Sequence, residues 1–397
     1  MKPVLFFSKR YLFSKSSNNA INTIVFIASL GVFFASMAFI IVLSGFSGIR
    51  TFNLNLLKLT DPDVKILPVK GKYFDFDKNL KEKLDAVKEI KAYSKVLEDR
   101  VFIDYHNKQK VAKIKGIDSS FFQVIPLDTT IFIGNAIDTN LNEALVGVGL
   151  ANDLSIMVST PDRPDVIKLI VPKKGKKYIT NPANAFNEKY VFPVGIYQTS
   201  GDHDKIYIYT GLNTARELLG LKKSKISQIE IKADTLTNIA VIQNKLKNIL
   251  GKQFKILNRE EQNPLIFKML NTENLMTYFI LSLILILALF NITGTVIMII
   301  LDKSENIKTL KVLGLKTLEI RKIFLYQGIL MTLISGIAGL VVGLILIFVQ
   351  IKFPFLYIPQ TRMAYPVEIH LTNIVAVLLT LFFLSVISTL IAIKRIK

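Results

Sequence analysis

Residues 274–301 read NLMTYFILSLILILALFNITGTVIMIIL, and no Asp, Glu, Lys or Arg interrupts them. A helix that crosses the hydrocarbon of a bilayer needs roughly 20 mostly apolar residues, and this stretch supplies them with turns to spare. Three further windows are equally free of those four residues: Ser16 to Ile49, Ile323 to Ile351 and Ile369 to Ile393. Soluble helices are seldom so long without a charge. The expected fold class is therefore an α-helical membrane protein with four transmembrane helices, one then three. A long segment separates the first from the second.

The first window follows a basic start, Met1 to Lys15, as a signal peptide would. Its apolar run is too long for one, and Ser44-Gly45-Phe46-Ser47-Gly48 is not a small-x-small cleavage site. A retained signal anchor is the reading. The segment Pro3 to Phe13 can lie at the interface as a short amphipathic elbow.

Orientation follows from Lys and Arg in the short loops. The N-terminal segment has Lys2, Lys9, Arg10 and Lys15. The loop after the second window has Lys303, Lys308, Lys311, Lys316, Arg321 and Lys322, and the C-terminus has Lys394, Arg395 and Lys397. The opposite loop, Lys352 to Glu368, has only Lys352 and Arg362. Both termini and the 302–322 loop are thus expected in the cytoplasm, and residues 50–272 outside. The expected division is 1–49 elbow and first span; 50–272 outer domain; 273–301 second span; 302–322 cytoplasmic loop; 323–351 third span; 352–368 outer loop; 369–397 fourth span and tail.

The chain of 397 residues is 51% hydrophobic and carries a formal charge of +20. That charge invites a nucleic-acid reading. Membrane topology already accounts for the basic loops, there is no Trp, and no nucleic-acid motif stands out, so no nucleic-acid partner is expected. There is no Cys, which excludes disulfides, thiolate metal sites and a Cys nucleophile.

Between Arg50 and Glu273 short β-like runs alternate with polar turns: Asp63 to Pro68, Val101 to Tyr105, Val111 to Gly116, Ile206 to Tyr209 and Ile226 to Ile231. Helical periodicity appears in Phe76 to Val87, Asn213 to Leu219 and Leu236 to Leu250. An α+β domain, with room for two lobes, is expected. A Lys- and Pro-rich excursion, Pro161 to Lys189, stands between the strand-like Ser155 to Ser159 and Tyr190 to Tyr197. Such excursions are often functional or disordered.

The inner loop makes sense as one short capped helix. Asp302 can serve as N-cap, with Glu305 completing a capping box. Ile307, Leu310 and Leu313 share a stripe with no obvious core of its own to enter, and Gly314 suits the left-handed position that ends a helix. Glu305 and Lys311 can supply charge pairing at the rim of a contact. A solvated loop is the plainer alternative. In the third window Ser335, Gly339 and Gly343 recur at four-residue steps, the small-residue stripe that lets spans approach closely.

The sequence Asp302-Lys303-x-Glu305-x-Ile307-x-x-Leu310-Lys311-x-Leu313-Gly314 resembles the coupling-helix signature of the FtsX/MacB-type ABC permeases, closest to their lipoprotein-releasing LolC/LolE branch. Ser44-Gly45-Phe46, Val146-Gly147-x-Gly149-Leu150-Ala151, Ala288-Leu289-Phe290-Asn291-Ile292 and Phe324-Leu325-Tyr326-Gln327-Gly328 resemble further family segments, in order along the chain. One departure is the Trp that the family often has before the second span; Arg259-Glu260-Glu261-Gln262-Asn263 occupies that region.

The resemblance implies a MacB-like periplasmic domain and a separate ABC ATPase subunit, LolD-like, which binds ATP and Mg and docks on the inner-loop helix. It implies a second permease copy or paralogue, acylated lipoprotein cargo and a periplasmic chaperone, LolA-like, recruited by an outer-domain loop. The matching region is Val171 to Lys189, beginning with Lys173, Lys174, Lys176 and Lys177. Cargo acyl chains are expected against Met37, Ile41, Phe46, Tyr278 and Leu285. Mechanotransmission or efflux in the manner of MacB, and regulation of cell-wall hydrolases in the manner of FtsX, are the alternatives.

No phosphate-binding G-x-x-x-x-G-K-[ST], no H-E-x-x-H and no G-x-S-x-G is present, and His106, His203 and His370 are spaced for no metal site. The chain itself is expected to be non-catalytic, with no cofactor of its own. His203 reads as part of a turn.

Overall fold

In the computed structural model, the four charge-free windows correspond to four long helices: Asn19–Leu57, Pro264–Asp302, Thr317–Lys352 and Leu371–Ile393. Each is long and apolar enough to cross a membrane. The structure describes residues 8, 10, 19–173, 185–199, 202–234, 238–359 and 363–394. The chain divides into two compact units, one of Met1–Phe52 with Lys268–Lys397 and one of Asn53–Phe267.

In the membrane unit one apolar core runs between the four helices, with Val32, Phe39, Ile40, Leu285, Ile292, Phe324 and Leu381 at its centre. Lipid offers little hydrophobic incentive for helices to associate, so close packing and hydrogen bonds carry the contact. Gly339 and Gly343 show how. A Cβ on Gly339 would lie 2.1 Å from the Phe33 carbonyl oxygen, and one on Gly343 would lie 2.5 Å from Ile40 Cγ2. The third span therefore presents these two glycines to the first. Ser335 is only partly buried, and Gly336 takes the place expected for it. Ser36 Oγ donates to the Gly336 carbonyl at 2.9 Å. Between the second and fourth spans Thr293 and Ser388 share a hydrogen bond of 2.5 Å. Ser44-Gly45-Phe46 is the part of the first span that meets the 363–370 segment: Ser44 O accepts from Glu368 N–H, and Gly45 lies against the Tyr365 ring. Of the amphipathic elbow, Ser8 is buried and donates to the Ile323 carbonyl at 2.8 Å; the rest, apart from exposed Arg10, lies outside the described residues.

The strands of the other unit are β1 (Val64–Pro68), β2 (Phe74–Asp75), β3 (Ile90–Tyr105), β4 (Lys108–Ile117), β5 (Ile131–Gly134) and β6 (Glu143–Gly147). They continue with β7 (Ile167–Pro172), β8 (Phe186–Tyr197), β9 (Tyr207–Gly211), β10 (Lys225–Ile226), β11 (Gln228–Ala233) and β12 (Phe254–Asn258). Two lobes share the long β3. In the first, β12-β1-β11-β3 form an antiparallel sheet. Helices Lys78–Asp85 and Ile239–Leu250 pack their buried leucines and Ile242 into its core. Chain order and sheet order together make this a split β-α-β arrangement.

In the second lobe the pairings run β3-β4-β9-β6-β8-β7 and return to β3, so the strands close on themselves. Closure leaves no edge within the ring. Its interior is filled by Leu97, Ile103, Ile114, Val146, Leu169, Val191 and Ile208.

Two readings of the sequence are corrected here. Ser155 to Ser159 is not a strand: Ser155 ends helix Val148–Leu154 in the left-handed region, with φ 59°. The strand lies later, inside the supposed excursion, where Ile167, Leu169 and Val171 alternate inward and pair β7 with β8. The excursion thus contains β7 and the start of β8, two paired strands of the ring. Lys173 is its last described residue before 185, and Lys174, Lys176 and Lys177 lie outside the described residues.

Candidate functional site

The loop between the second and third spans carries a helix, Ser304–Val312. Its C-terminal end is built as its sequence implies. Leu315 N–H bonds the Leu310 carbonyl at 3.1 Å and Gly314 N–H bonds the Lys311 carbonyl at 3.0 Å, the paired bonds of a Schellman ending. Gly314 has φ +93°, which a side chain would strain.

Its N-terminal end differs from expectation. Asp302 is the last residue of the second-span helix, and Lys303 is the N-cap, without a side-chain bond to the helix. With no Gly or Pro at 299–303 to stop it, the span simply continues, and Lys303 N–H still bonds Ile299 O at 3.0 Å. Asp302 pairs with Lys303 at 3.0 Å, and Glu305 pairs with Lys308 at 2.9 Å. The capping carboxylate stands one helix later: Glu319 accepts from Lys316 N–H at 2.9 Å where the third span begins.

The apolar stripe also divides. Leu310 is 6% exposed and belongs to the membrane-unit core, and Ile307 packs partly against it. Only Leu313, 71% exposed, keeps its side chain outside. Its neighbours in exposure are Leu301, Val312 at 87% and Leu318. The expectation that the stripe lacks an intrachain core is therefore wrong for two of its three members. Ile307 and Leu310 brace the helix on the spans, and the exposed apolar residues in and beside the loop include Leu301, Val312, Leu313 and Leu318. Lys311 is exposed as well. Val312 and Leu318 went unnoticed because they lie off the Ile307 stripe; the signal was two consecutive aliphatics ahead of a helix-ending Gly.

The residues expected to meet acyl chains differ in burial. Leu285 is fully buried in the helix core and offers nothing to a lipid. Met37, Ile41 and Phe46 are half-buried, and Ile41 packs against the same core. Tyr278 is 38% exposed, and its hydroxyl shares a hydrogen bond with Thr380 Oγ1 at 2.7 Å.

In the sheet domain the Gly147 and Gly149 of the G-x-x-L-A segment allow a close approach. A Cβ on Gly147 would meet Asp204 O at 2.2 Å, and one on Gly149 would meet Lys205 Cγ at 2.6 Å. This seats the short 202–205 turn and, with it, His203, whose ring stacks on Tyr207 with centroids 4.1 Å apart. Burial, with Lys115, Lys65 and Lys113 adding to it, pushes the His203 pKa down to about 3. His203 is thus in a turn, as read, but one folded into an aromatic cluster with Tyr197 and Tyr209. Among the described residues no three His, Asp or Glu gather as a metal site.

The FtsX-like permease C-terminal family matches residues 278–397, which hold much of the second span, the inner loop and the last two spans. The lipoprotein-releasing system transmembrane protein LolC of Buchnera aphidicola is 26% identical over 394 residues, covering 98% of this chain and 95% of that protein. The LolE protein of Haemophilus influenzae is 23% identical over 358 residues, covering 87% and 82%. Among solved structures, the periplasmic region of MacB from Actinobacillus actinomycetemcomitans is similar with a TM-score of 0.38 at 14% identity, over 53% of this chain and 95% of that one. The chain is thus similar to FtsX-like permeases over residues 278–397 and to LolC and LolE proteins along most of its length.

Proposed function

We propose that this chain is the permease subunit of a lipoprotein-releasing ABC system. It extracts acylated lipoproteins from the inner membrane and passes them to a periplasmic chaperone, driven by a separate ATPase subunit. The observation that carries the reading is the nearly end-to-end similarity to a LolC protein, including the inner loop. The physical need is plain. Each methylene buried in a bilayer holds a lipid by about 0.8 kcal/mol, so an acyl chain of ordinary length is held by more than about 10 kcal/mol. Release needs both an energy source and an acceptor that shields the chains.

The exposed Leu301, Val312, Leu313 and Leu318 supply the docking surface for the ATPase, and the Ile307 and Leu310 anchors make the helix a lever on the second and third spans. In this reading the sheet domain is periplasmic, both termini are cytoplasmic, and a second copy or paralogue completes the complex. The 173–187 region recruits the chaperone. Half-buried Met37 and exposed Tyr278 remain the contacts for cargo, while Leu285 is withdrawn.

Leu313→Asp tests the docking surface directly. It should leave membrane insertion and detergent stability unchanged and weaken ATPase capture by at least about tenfold, the loss of one apolar anchor. Unchanged capture and unchanged stimulation of hydrolysis would remove this helix from the mechanism. Leu310→Asp cannot serve as the test, because a charge at that buried position would damage the permease itself. Ser304→Cys should resist an impermeant thiol reagent on intact spheroplasts while Ser119→Cys reacts; the reverse pattern would invert the topology. Deleting 173–187 should abolish chaperone capture and spare ATPase assembly.

A further inference from the structure

Within the sheet domain a cavity of about 570 Å³ is lined by residues of both lobes. Its floor is a row of charged side chains. Lys113 reaches Glu98 at 3.2 Å and the Tyr207 hydroxyl at 3.1 Å, and Lys115 is paired with Glu230 at 2.8 Å. The ammonium of Lys65, the third lysine of the wall, has no ion pair or hydrogen bond among the described residues. Also in the lining, Asp61 accepts from the Asn263 side-chain amide at 2.8 Å but has no cationic side chain paired with it among the described residues. The nearby guanidinium of Arg259 is taken by Asp63 at 2.7 Å. Beside Asp61, Gln262 spends its amide nitrogen on the Pro62 and Leu257 carbonyls, while its Oε1 is buried and receives no donor.

The cavity thus offers one unpaired ammonium and one unpaired carboxylate. An anion alone would meet Lys65 but also Asp61 and Glu98. A cation alone would meet Asp61 but also Lys65 and Lys113. A molecule that carries both charges meets both requirements. We propose that this cavity binds a small zwitterionic group, a primary ammonium joined to a phosphate or carboxylate. The anionic end lies at Lys65, toward the Lys113 ammonium, and the ammonium lies at Asp61. This inference does not rest on the transport reading.

The test is calorimetric titration of the full chain in a non-ionic maltoside detergent with phosphoethanolamine and with glycine. At least one should bind saturably, and ethanolamine and inorganic phosphate should each bind at least about tenfold more weakly, because each leaves one wall charge unanswered. Lys65→Gln and Asp61→Asn should each cost at least about tenfold, and Lys65→Arg should keep affinity within about threefold. Asp61→Asn is isosteric, so its melting temperature shows whether the fold is intact. Lysophosphatidylethanolamine separates the sources: tighter binding than phosphoethanolamine assigns a lipid headgroup, and equal binding assigns a free solute. Phosphate binding as tightly as the zwitterions would overturn the proposal. So would an Asp61→Asn chain of native stability and unchanged affinity, or the absence of binding by every probe.

Discussion

Ser36, Thr293 and Ser388 are buried in the membrane unit, and each hydroxyl meets a carbonyl or another hydroxyl of a neighbouring helix. Lys115 and Glu230 are buried in the sheet domain, 2% and 0% exposed, and meet each other. The two regions handle buried polarity by different means. Between apolar helices there is no counter-charge to be had, so small hydroxyls bond to backbone oxygens that already serve the helix. In the sheet, β4 and β11 are two strands of one face, and β3 between them supplies Glu98 to the same network. Burial opposes ionisation of Glu98, yet Lys115, Lys113 and Lys65 outweigh it and hold its pKa below the ordinary carboxylate value. A buried pair of this kind adds little net stability against an apolar pair of equal shape, but breaking it is costly. The membrane unit should therefore be sensitive to size, and the sheet domain to charge.

The sharpest way to break that contrast is Gly339→Leu. Its side chain has no room against Phe33 and Ser36, so the first and third spans must part. Detergent-stable protein should fall by more than about tenfold, as interhelical packing is lost. Val341→Ala, on an exposed face of the same helix, is the control and should be nearly silent. Leu344 is unsuitable as that control, because it packs against the core. Equal losses from Gly339→Leu and Val341→Ala, by size-exclusion yield, would dissolve the comparison from the membrane side.

Next in size is Lys115→Met. It leaves the buried Glu230 carboxylate without its counter-charge, held by the Gln228 amide alone and with one oxygen already without a partner. A loss of about 3–5 kcal/mol is expected, partly restored by adding Glu230→Leu. Thermal unfolding followed by circular dichroism measures it, and a single variant of native stability would mean that the pair is not a structural element.

His203 gives a smaller, pH-dependent effect. In the unfolded chain it takes up a proton below about pH 6.5, whereas in the folded domain it stays neutral to about pH 3. Stability held at neutral pH is therefore lost as the pH falls through that window, by about 2–3 kcal/mol between pH 6.5 and 4.5. A His203→Gln chain should lose this part of the slope in melting temperature against pH. Parallel slopes for the two chains would show that burial does not govern His203. The smallest effect expected is from Gly314→Ala, about 1 kcal/mol from the positive φ at the helix ending. If its Tm matches the unsubstituted chain, the Schellman ending does not set the loop.

The spans were legible because absence is a strong signal: helices of soluble proteins seldom run without a charge for longer than a bilayer is thick. Gly314 was legible because one backbone conformation suits one residue. The strand β7 was not, although Ile167, Leu169 and Val171 alternate, because the Lys- and Pro-rich residues around it carry the composition of a loop. Its pairing with β3 and β8 decides it. Leu310 shows the same limit. Periodicity placed it on a stripe with Ile307 and Leu313, but could not tell which members face the spans and which face out.

The linear order of residues by itself determined that four apolar helices exist, that they come as one and then three, and that a short helix ending at Gly314 joins the second to the third. Those properties depend on neighbours within a turn or on the thickness of a membrane. Only the tertiary structure decided that β3 serves two lobes, that Lys115 is buried rather than solvated, and that Asp61, Lys65 and Gln262 surround one cavity. Each of these depends on groups brought together from distant parts of the chain, and their energies come from the low polarity of the place where they meet, which no local stretch of sequence contains.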